Sequence, residues 1–245
     1  MRTNLPLDLD TIINKNTSFD LIKHDTATTV GILKGNKFGL PHNLLVKRFN
    51  SRGFFDFIVR KIFGSRARRL WHITLKFYNR GLPVPKPVTF IDPSFRLKNS
   101  FYLSIFINNA DNLANIYKKG AFHKPEHIAH QLAQTIAQWH LAGGGHGDLK
   151  WSNILFQKSD KGYKFFLIDL GQSQLNTRPS VRLIKKDLTR FYRYGLELKA
   201  EEWVYSFFFP EYFAMIPDTI KSKIEVDDIK KKAYKDWQRK RQKSV

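Results

Sequence analysis

Hydrophobic and polar positions change their period several times along the chain. Phe19–Lys23, Ala27–Lys34 and Asn43–Phe49 are short runs rich in β-branched residues and Leu, and they read as strands. A Gly35-Asn36-Lys37 turn separates the second from the third. From Phe54 to Gly81 the spacing lengthens to threes and fours at Phe57, Ile58, Ile62, Leu70, Ile73, Phe77 and Tyr78, which predicts helix. Gly64-Ser65 should split this stretch in two, with Ser65 as N-cap of the second helix. Gly81 and the Pro-rich run Leu82–Pro87 should end it. Two further strands, Val88–Ile91 and Phe101–Ile107, flank a polar turn at Asp92–Asn99.

Past Asn108-Asn109 the pattern becomes mainly helical. Pro125 and Glu126 suit a first helical turn, and Ile128, Leu132, Ile136 and Trp139 form one apolar stripe that Gly143-Gly144-Gly145 terminates. Short strands are expected at Ile154–Phe156 and Lys164–Ile168, then helices from about Ser180 onward. Trp139, Trp151, Trp203 and Phe207-Phe208-Phe209 are expected to fill the helical core. The fold class is thus α+β, with a sheet-plus-helix lobe at 1–109 and a mainly helical lobe at 110–245.

Composition narrows the class without naming an activity. A chain of 245 residues with 42 % hydrophobic and 14 % aromatic content can bury a core, which excludes bulk disorder. No cysteine is present, so a disulfide scaffold, a thiolate metal site and a cysteine nucleophile are excluded. No secretory pattern opens the chain and no run of about 18 uncharged apolar residues occurs, so the expectation is a soluble or membrane-peripheral, cytoplasmic protein. With 42 Lys+Arg against 21 Asp+Glu, the formal charge of +21 calls for a polyanionic partner.

Candidate chemistry sits in His146-Gly147-Asp148-Leu149-Lys150-Trp151-Ser152-Asn153. An acid, a lysine two residues on and an asparagine five on, in a Gly-led loop before a strand, follow the kinase catalytic-loop pattern. Phosphoryl transfer needs these types: a carboxylate to accept a hydroxyl proton, a cation beside the moving phosphate, and an amide oxygen for Mg2+. Sixteen residues beyond Asn153, the apolar run Phe165–Ile168 ends in Asp169-Leu170-Gly171, a carboxylate presented at a strand mouth.

The blocks Leu45–Phe49, Gly64–Trp71, Gly81–Pro87 and His146–Asn153, continued by Lys186-Asp187-Leu188 and Arg190-Phe191, resemble the lipopolysaccharide core (Kdo/heptose) kinases, from about residue 20 to about 195. The resemblance implies a protein-kinase-like bilobal fold, ATP and Mg2+ as cofactors, and a lipopolysaccharide core glycolipid as acceptor. It implies Asp148 as catalytic base, Lys150 beside the transferring phosphate, Asn153 and Asp169 as metal ligands, and Lys47 on the α/β-phosphates. Phe101–Asn109 would carry the adenine. Asp187 resembles the helix aspartate that braces the catalytic loop; an ordinary helix-surface carboxylate is an equal alternative.

Several features depart from the kinase pattern. No Gly-x-Gly-x-x-Gly precedes Lys47, which leaves the Thr28–Lys34 hairpin to cover the phosphates. No Asp or Glu falls between Phe57 and Ile91, so the usual acid opposite the strand lysine is missing; His72 stands where it is expected, and Asp56 comes one helix early. That gap keeps a non-catalytic kinase-like binding module in play. The Asp169–Asp187 link is short, which favours a sugar hydroxyl over a peptide. His123, His127, His130 and His140 lie on or beside one helix, with surface or capping roles favoured over a metal site. Positive charge concentrates at 47–69 and in the lysine-rich tail from about 221. This favours an anionic membrane surface on the inner membrane's cytoplasmic side and disfavours nucleic acid, whose recognition calls for aromatics interleaved with basic residues.

Overall fold

In the computed structural model, residues 9–15, 18–50, 64–92, 99–160 and 162–242 are described. The chain divides into two units, Met1–Tyr78 with Pro85–Asn108, and Asn79–Val84 with Asn109–Val245. The short segment Asn79–Val84 belongs with the second unit. Hydrogen bonds join it there: Leu167 N–H donates to the Pro83 carbonyl, and the Arg80 side chain donates through Nη1 to the carbonyls of Ala142 and Asn176.

The first unit is an antiparallel sheet with a helix on each face. Helix α1 (Leu9–Lys15) precedes β1 (Phe19–His24), β2 (Thr28–Leu33) and β3 (Leu44–Phe49); α2 (Arg66–Asn79), β4 (Pro87–Ile91) and β5 (Ser100–Ile105) follow. Strand order is β1-β2-β3-β5-β4. Pairing of Val46 with Leu103 and Lys47 with Tyr102 fixes which side chains share a face. Leu44, Val46, Phe101 and Leu103 pack with Leu9 and Ile13 of α1. Arg48, on that same face, donates to Asp10 and to Thr29 Oγ1, both at 3.1 Å, so the buried guanidinium is paired. On the other face, burial pushes the Tyr102 phenol up, opposed by hydrogen bonds with Thr74 of α2 and with Ser104.

Local signals set the limits of α2. Ser65 Oγ accepts the Arg68 N–H at 3.0 Å, the expected N-cap, and Gly81 leaves the helix at φ 72°. The preceding helix expected from Phe54, with Asp56, lies outside the described residues, as does most of the Asp92–Asn99 turn.

The second unit surrounds a small sheet of β6 (Ala110–Asn112), β8 (Ile154–Ser159) and β9 (Gly162–Leu167); β7 (Gly144–Gly145) pairs separately with β10 (Gln174–Leu175). Helix α3 (Leu113–Lys118) is capped by Asn112 Oδ1, and α4 (Pro125–Leu141) buries Ile128, Leu132, Ile136 and Trp139 completely. Helix α5 (Val181–Leu198) starts at Ser180 and buries Leu183, Ile184, Leu188 and Phe191. The expected helical run then breaks at Lys199, which takes φ 55°. Next come α6 (Glu201–Trp203), a π-helical turn (Val204–Phe208), α7 (Phe209–Ala214) and α8 (Asp218–Lys221). Helix α9 (Val226–Gln242) packs on α5 with Ile229 and Ala233 buried, and Lys240 meets Glu197 at 3.0 Å.

Aromatic packing holds the helices around the candidate loop. Trp151, fully buried, has ring neighbours Tyr117, Phe122, Phe191 and Trp203 at centroid distances of 5.5, 6.2, 5.4 and 5.3 Å. Truncating it removes a side chain shared by four elements. Trp151→Ala is expected to lower unfolding free energy by about 3–5 kcal/mol in urea titrations, and Trp151→Phe by clearly less. Equal stability of Trp151→Ala and wild type would contradict this account of the core.

Candidate active site

The loop that carries Asp148 is held from behind by one buried carboxylate. Asp187 of α5 is fully buried; its Oδ2 accepts the His146 N–H at 2.6 Å and its Oδ1 the Gly147 N–H at 2.8 Å. This decides between the two readings of Asp187 in favour of the brace. Gly147 turns the chain at φ 78°, and a Cβ there would come 2.5 Å from the Gln172 carbonyl oxygen, so only glycine fits. His140 Nε2 approaches Asp187 Oδ2 at 3.4 Å while its Nδ1 lies 2.8 Å from the Tyr212 hydroxyl. Burial by itself would raise the Asp187 carboxyl. The hydrogen bond and charge of His140, with the backbone N–H of His146, outweigh it and hold the group below the usual carboxylate range.

His146 is fully buried with both ring nitrogens engaged. Nε2–H donates to the Ile168 carbonyl at 3.0 Å and Nδ1 accepts the Asp148 N–H at 3.3 Å, which fixes one neutral tautomer. Burial pushes its pKa down, against the charges of Asp187, Asp148 and Asp169 and the Ile168 hydrogen bond. Ser173 Oγ donates to the His146 carbonyl at 2.9 Å, tying the loop to the chain beyond Asp169.

Four of the five residues singled out from the sequence lie together in the second unit. Asp148 Oδ2 is 3.3 Å from Lys150 Nζ, and Oδ1 is 3.1 Å from Arg190 Nε. Asn153 Nδ2 donates to the Asp148 carbonyl at 3.0 Å and reaches Oδ2 at 3.3 Å, so the amide is oriented through its nitrogen and Oδ1 is the end suited to a cation. The Ile168 N–H donates to the Asn153 carbonyl at 3.0 Å, which sets Asp169 next to Asn153 where β8 and β9 meet. Asp169 sits in the left-handed region at φ 60°, a conformation that costs a non-glycine residue about 1 kcal/mol. An amide oxygen and a carboxylate at adjacent strand ends are hard oxygen donors of the kind Mg2+ takes. The fifth residue, Lys47, lies on β3 of the first unit, half-buried, its Nζ 5.4 Å from the Phe49 ring centroid.

Two expectations need correction. The phosphate-covering hairpin at Thr28–Lys34 is instead the strand β2, hydrogen-bonded on both sides to β1 and β3. At its turn, the N–H groups of Ala27 and Thr28 donate to Asp25 Oδ1 at 2.8 Å each. Those donors are committed, and with Lys23 they hold the Asp25 carboxyl far below the usual range. His140, expected at the surface or in a cap, is instead wholly buried in the Tyr212–His140–Asp187 chain. His130 does sit at the surface, 2.7 Å from Glu211, and no group of three His, Asp or Glu among the described residues is arranged to hold a metal. No acid is present on α2, and His72 is exposed beside Phe90 at 6.0 Å.

Arg190 and His146 stand in the sequence blocks quoted above, but the pattern assigned neither a role. Arg190 lies three residues after Asp187, close to one helical turn, so a brace at 187 brings 190 to the same loop. That spacing was the available signal.

The buried His146 has a consequence for pH. Its folded pKa lies below the ordinary value near 6.5, so the unfolded chain binds the proton first as pH falls, and stability drops between about pH 6.5 and the folded value. In urea titrations the wild type should lose more stability from pH 7.5 to 5.5 than His146→Gln does. Identical losses in the two proteins would refute this.

Residues 46–207 match the Lipopolysaccharide kinase (Kdo/WaaP) family, well over half of the chain. Two curated relatives, the 3-deoxy-D-manno-octulosonic acid kinases of Haemophilus influenzae strains PittEE and ATCC 51907 / DSM 11121 / KW20 / Rd, are each 29 % identical over 108 residues. That stretch is 43 % of this chain and 44 % of each relative, so the match spans less than half the length of either. A solved structure described as WaaP in complex with acyl carrier protein superposes with a TM-score of 0.59 at 15 % identity, covering 88 % of both chains, which establishes the protein-kinase-like fold. With the catalytic-loop constellation assembled in that fold and the family pattern running through it, the chain belongs to the lipopolysaccharide kinase (Kdo/WaaP) family.

Proposed function

We propose that this protein transfers the γ-phosphate of ATP to a hydroxyl of a lipopolysaccharide inner-core sugar, with Kdo favoured over heptose, at the cytoplasmic face of the inner membrane. The observation that carries the reading is the Asp187-braced loop, which sets the Asp148 carboxylate among Lys150, Asn153 and the Asp169 turn. The kinase names of the curated relatives favour Kdo.

In the proposed reaction the sugar hydroxyl oxygen bonds to the γ-phosphorus while the β–γ bridging P–O bond breaks. The hydroxyl proton passes to Asp148, and ADP leaves with the bridging electron pair. Lys150, beside Asp148, offsets charge on the moving phosphoryl group, and Lys47 is the candidate cation for the α/β-phosphates. Asn153 Oδ1 and Asp169 would hold Mg2+, which when bound neutralises phosphate charge. The brevity of the Asp169–Asp187 link supports a small acceptor.

Attachment to the membrane is attributed to α9. Lys231, Lys232, Lys235, Arg239 and Arg241 are exposed on it, and Tyr234 is 49 % exposed. Each basic residue near an anionic surface contributes on the order of 1 kcal/mol. No helix among the described residues is long and apolar enough to cross a membrane.

With labelled ATP, Mg2+ and core glycolipid, the wild type should transfer label, and Asp148→Ala should lose about 10²–10⁴-fold in kcat. Equal transfer by both proteins would sink the mechanism. Sedimentation with phosphatidylglycerol vesicles should fall steeply between low and high salt, and fall at fixed salt when Lys231, Lys232 and Lys235 are changed to Gln. Binding indifferent to both changes would remove the membrane assignment.

A further inference from the structure

The proposed transfer assigns destinations to Lys150, Asn153, Asp169 and Lys47, but leaves Arg190 without one. Arg190 closes the second oxygen of the candidate base: its Nε is 3.1 Å from Asp148 Oδ1, while Lys150 approaches Oδ2 at 3.3 Å. Each oxygen of the carboxylate is thus covered by a cationic side chain on the side from which a hydroxyl donor would approach. Oδ2 is shared by Lys150 and the Asn153 amide, whereas withdrawal of Arg190 alone clears Oδ1 for a hydroxyl donor.

Arg190 is placed to be drawn away by an anion. Its side chain is 33 % exposed, and the Asp148 contact uses one of the five donors of the guanidinium fork. Along α5, Arg182 and Lys186 are exposed on the face that leads to Arg190. The acids of that helix do not neutralise this strip: Asp187 is buried in the loop brace, and Glu197 is engaged by Arg193 at 3.7 Å and Lys240 at 3.0 Å. The strip is therefore an open cationic approach ending at the base.

We propose that Arg190 is the acceptor-recognition residue: its guanidinium transfers from Asp148 Oδ1 to an anionic group of the acceptor sugar, a carboxylate or a phosphate, and so frees Oδ1 to receive the hydroxyl proton. The inference rests on the sugar-kinase reading. It makes the base available only when an anionic acceptor is seated, and an octulosonic acid supplies a carboxylate for the fork. Arg190 then acts on specificity through direct contact with the acceptor, beyond its effect on Asp148.

The test compares wild type, Arg190→Gln, Arg190→Lys and Lys186→Gln on three acceptors: the native Kdo glycolipid, its carboxyl methyl ester and its dephosphorylated form. Calorimetric titration with free Kdo and with its methyl ester runs alongside. Wild type should prefer the native acceptor to one of the two neutralised forms by about tenfold in kcat/KM, and which form suffers identifies carboxylate or phosphate as the anion. Arg190→Gln should lose about tenfold on the native acceptor, mainly in KM, and keep only about twofold discrimination. Arg190→Lys, which keeps the charge and loses the fork, should fall between and decides the matter if Arg190→Gln melts early. Lys186→Gln should raise KM by a smaller factor.

A loss in kcat that is equal on all acceptors, with KM unchanged, would show that Arg190 merely holds Asp148 and would overturn the proposal. If wild type transfers phosphate to none of them, the sugar-kinase reading fails. Calorimetry then decides separately, with inorganic phosphate as a third titrant: Kdo binding that exceeds methyl-ester binding, or phosphate binding, supports the anion site when it depends on Arg190, and binding of both indifferent to Arg190 overturns it.

Discussion

One buried carboxylate determines whether the second unit has a working loop. Asp187 accepts two consecutive backbone N–H groups at His146 and Gly147, buried from the protein surface. Unpaired, each would cost about 1–3 kcal/mol, and the carboxylate alone would be far costlier to bury. The three groups therefore order one another. Because the donors immediately precede Asp148, the brace that stabilises α5 also sets the position of the candidate base.

From that brace the site spreads along short covalent and hydrogen-bonded links. His146 carries the constraint to Ile168, and Asn153 to Asp148 and again to Ile168, so that Asp148, Asn153 and Asp169 are mutually fixed without a bound ligand. Preorganised donors and acceptors of this kind lower the cost of assembling a charged transition state. At Asp148 the geometry works in the opposite sense, since Lys150 and Arg190 each cover one carboxylate oxygen. In the proposed reading an anionic acceptor offers the competing charge that opens this clasp.

The strands, the Ser65-capped helix, the apolar stripe of α4 and the loop sequence were legible because each is encoded by neighbours within a few residues. The Asp148, Lys150 and Asn153 spacing belongs to this class. Less legible was the turn before β2, where Asp25 consumes the N–H groups that seemed available for phosphate: the pattern shows donors but not who has already taken them. His140 was placed at the surface for a related reason, since its buried partner Tyr212 lies 72 residues away. The break at Lys199 and the π-helical turn after it carried no Gly or Pro to announce them.

The sequence by itself determined the α+β class, the positions of most elements and the spacing of the candidate site residues, since periodicity and short-range spacing follow directly from backbone geometry. Only tertiary structure decided that Asp187 is a brace, that His146 is held as one neutral tautomer, and that Arg190 reaches Asp148. Those facts depend on contacts between residues tens of positions apart, and burial and hydrogen-bond partnership exist only after the chain has closed those distances.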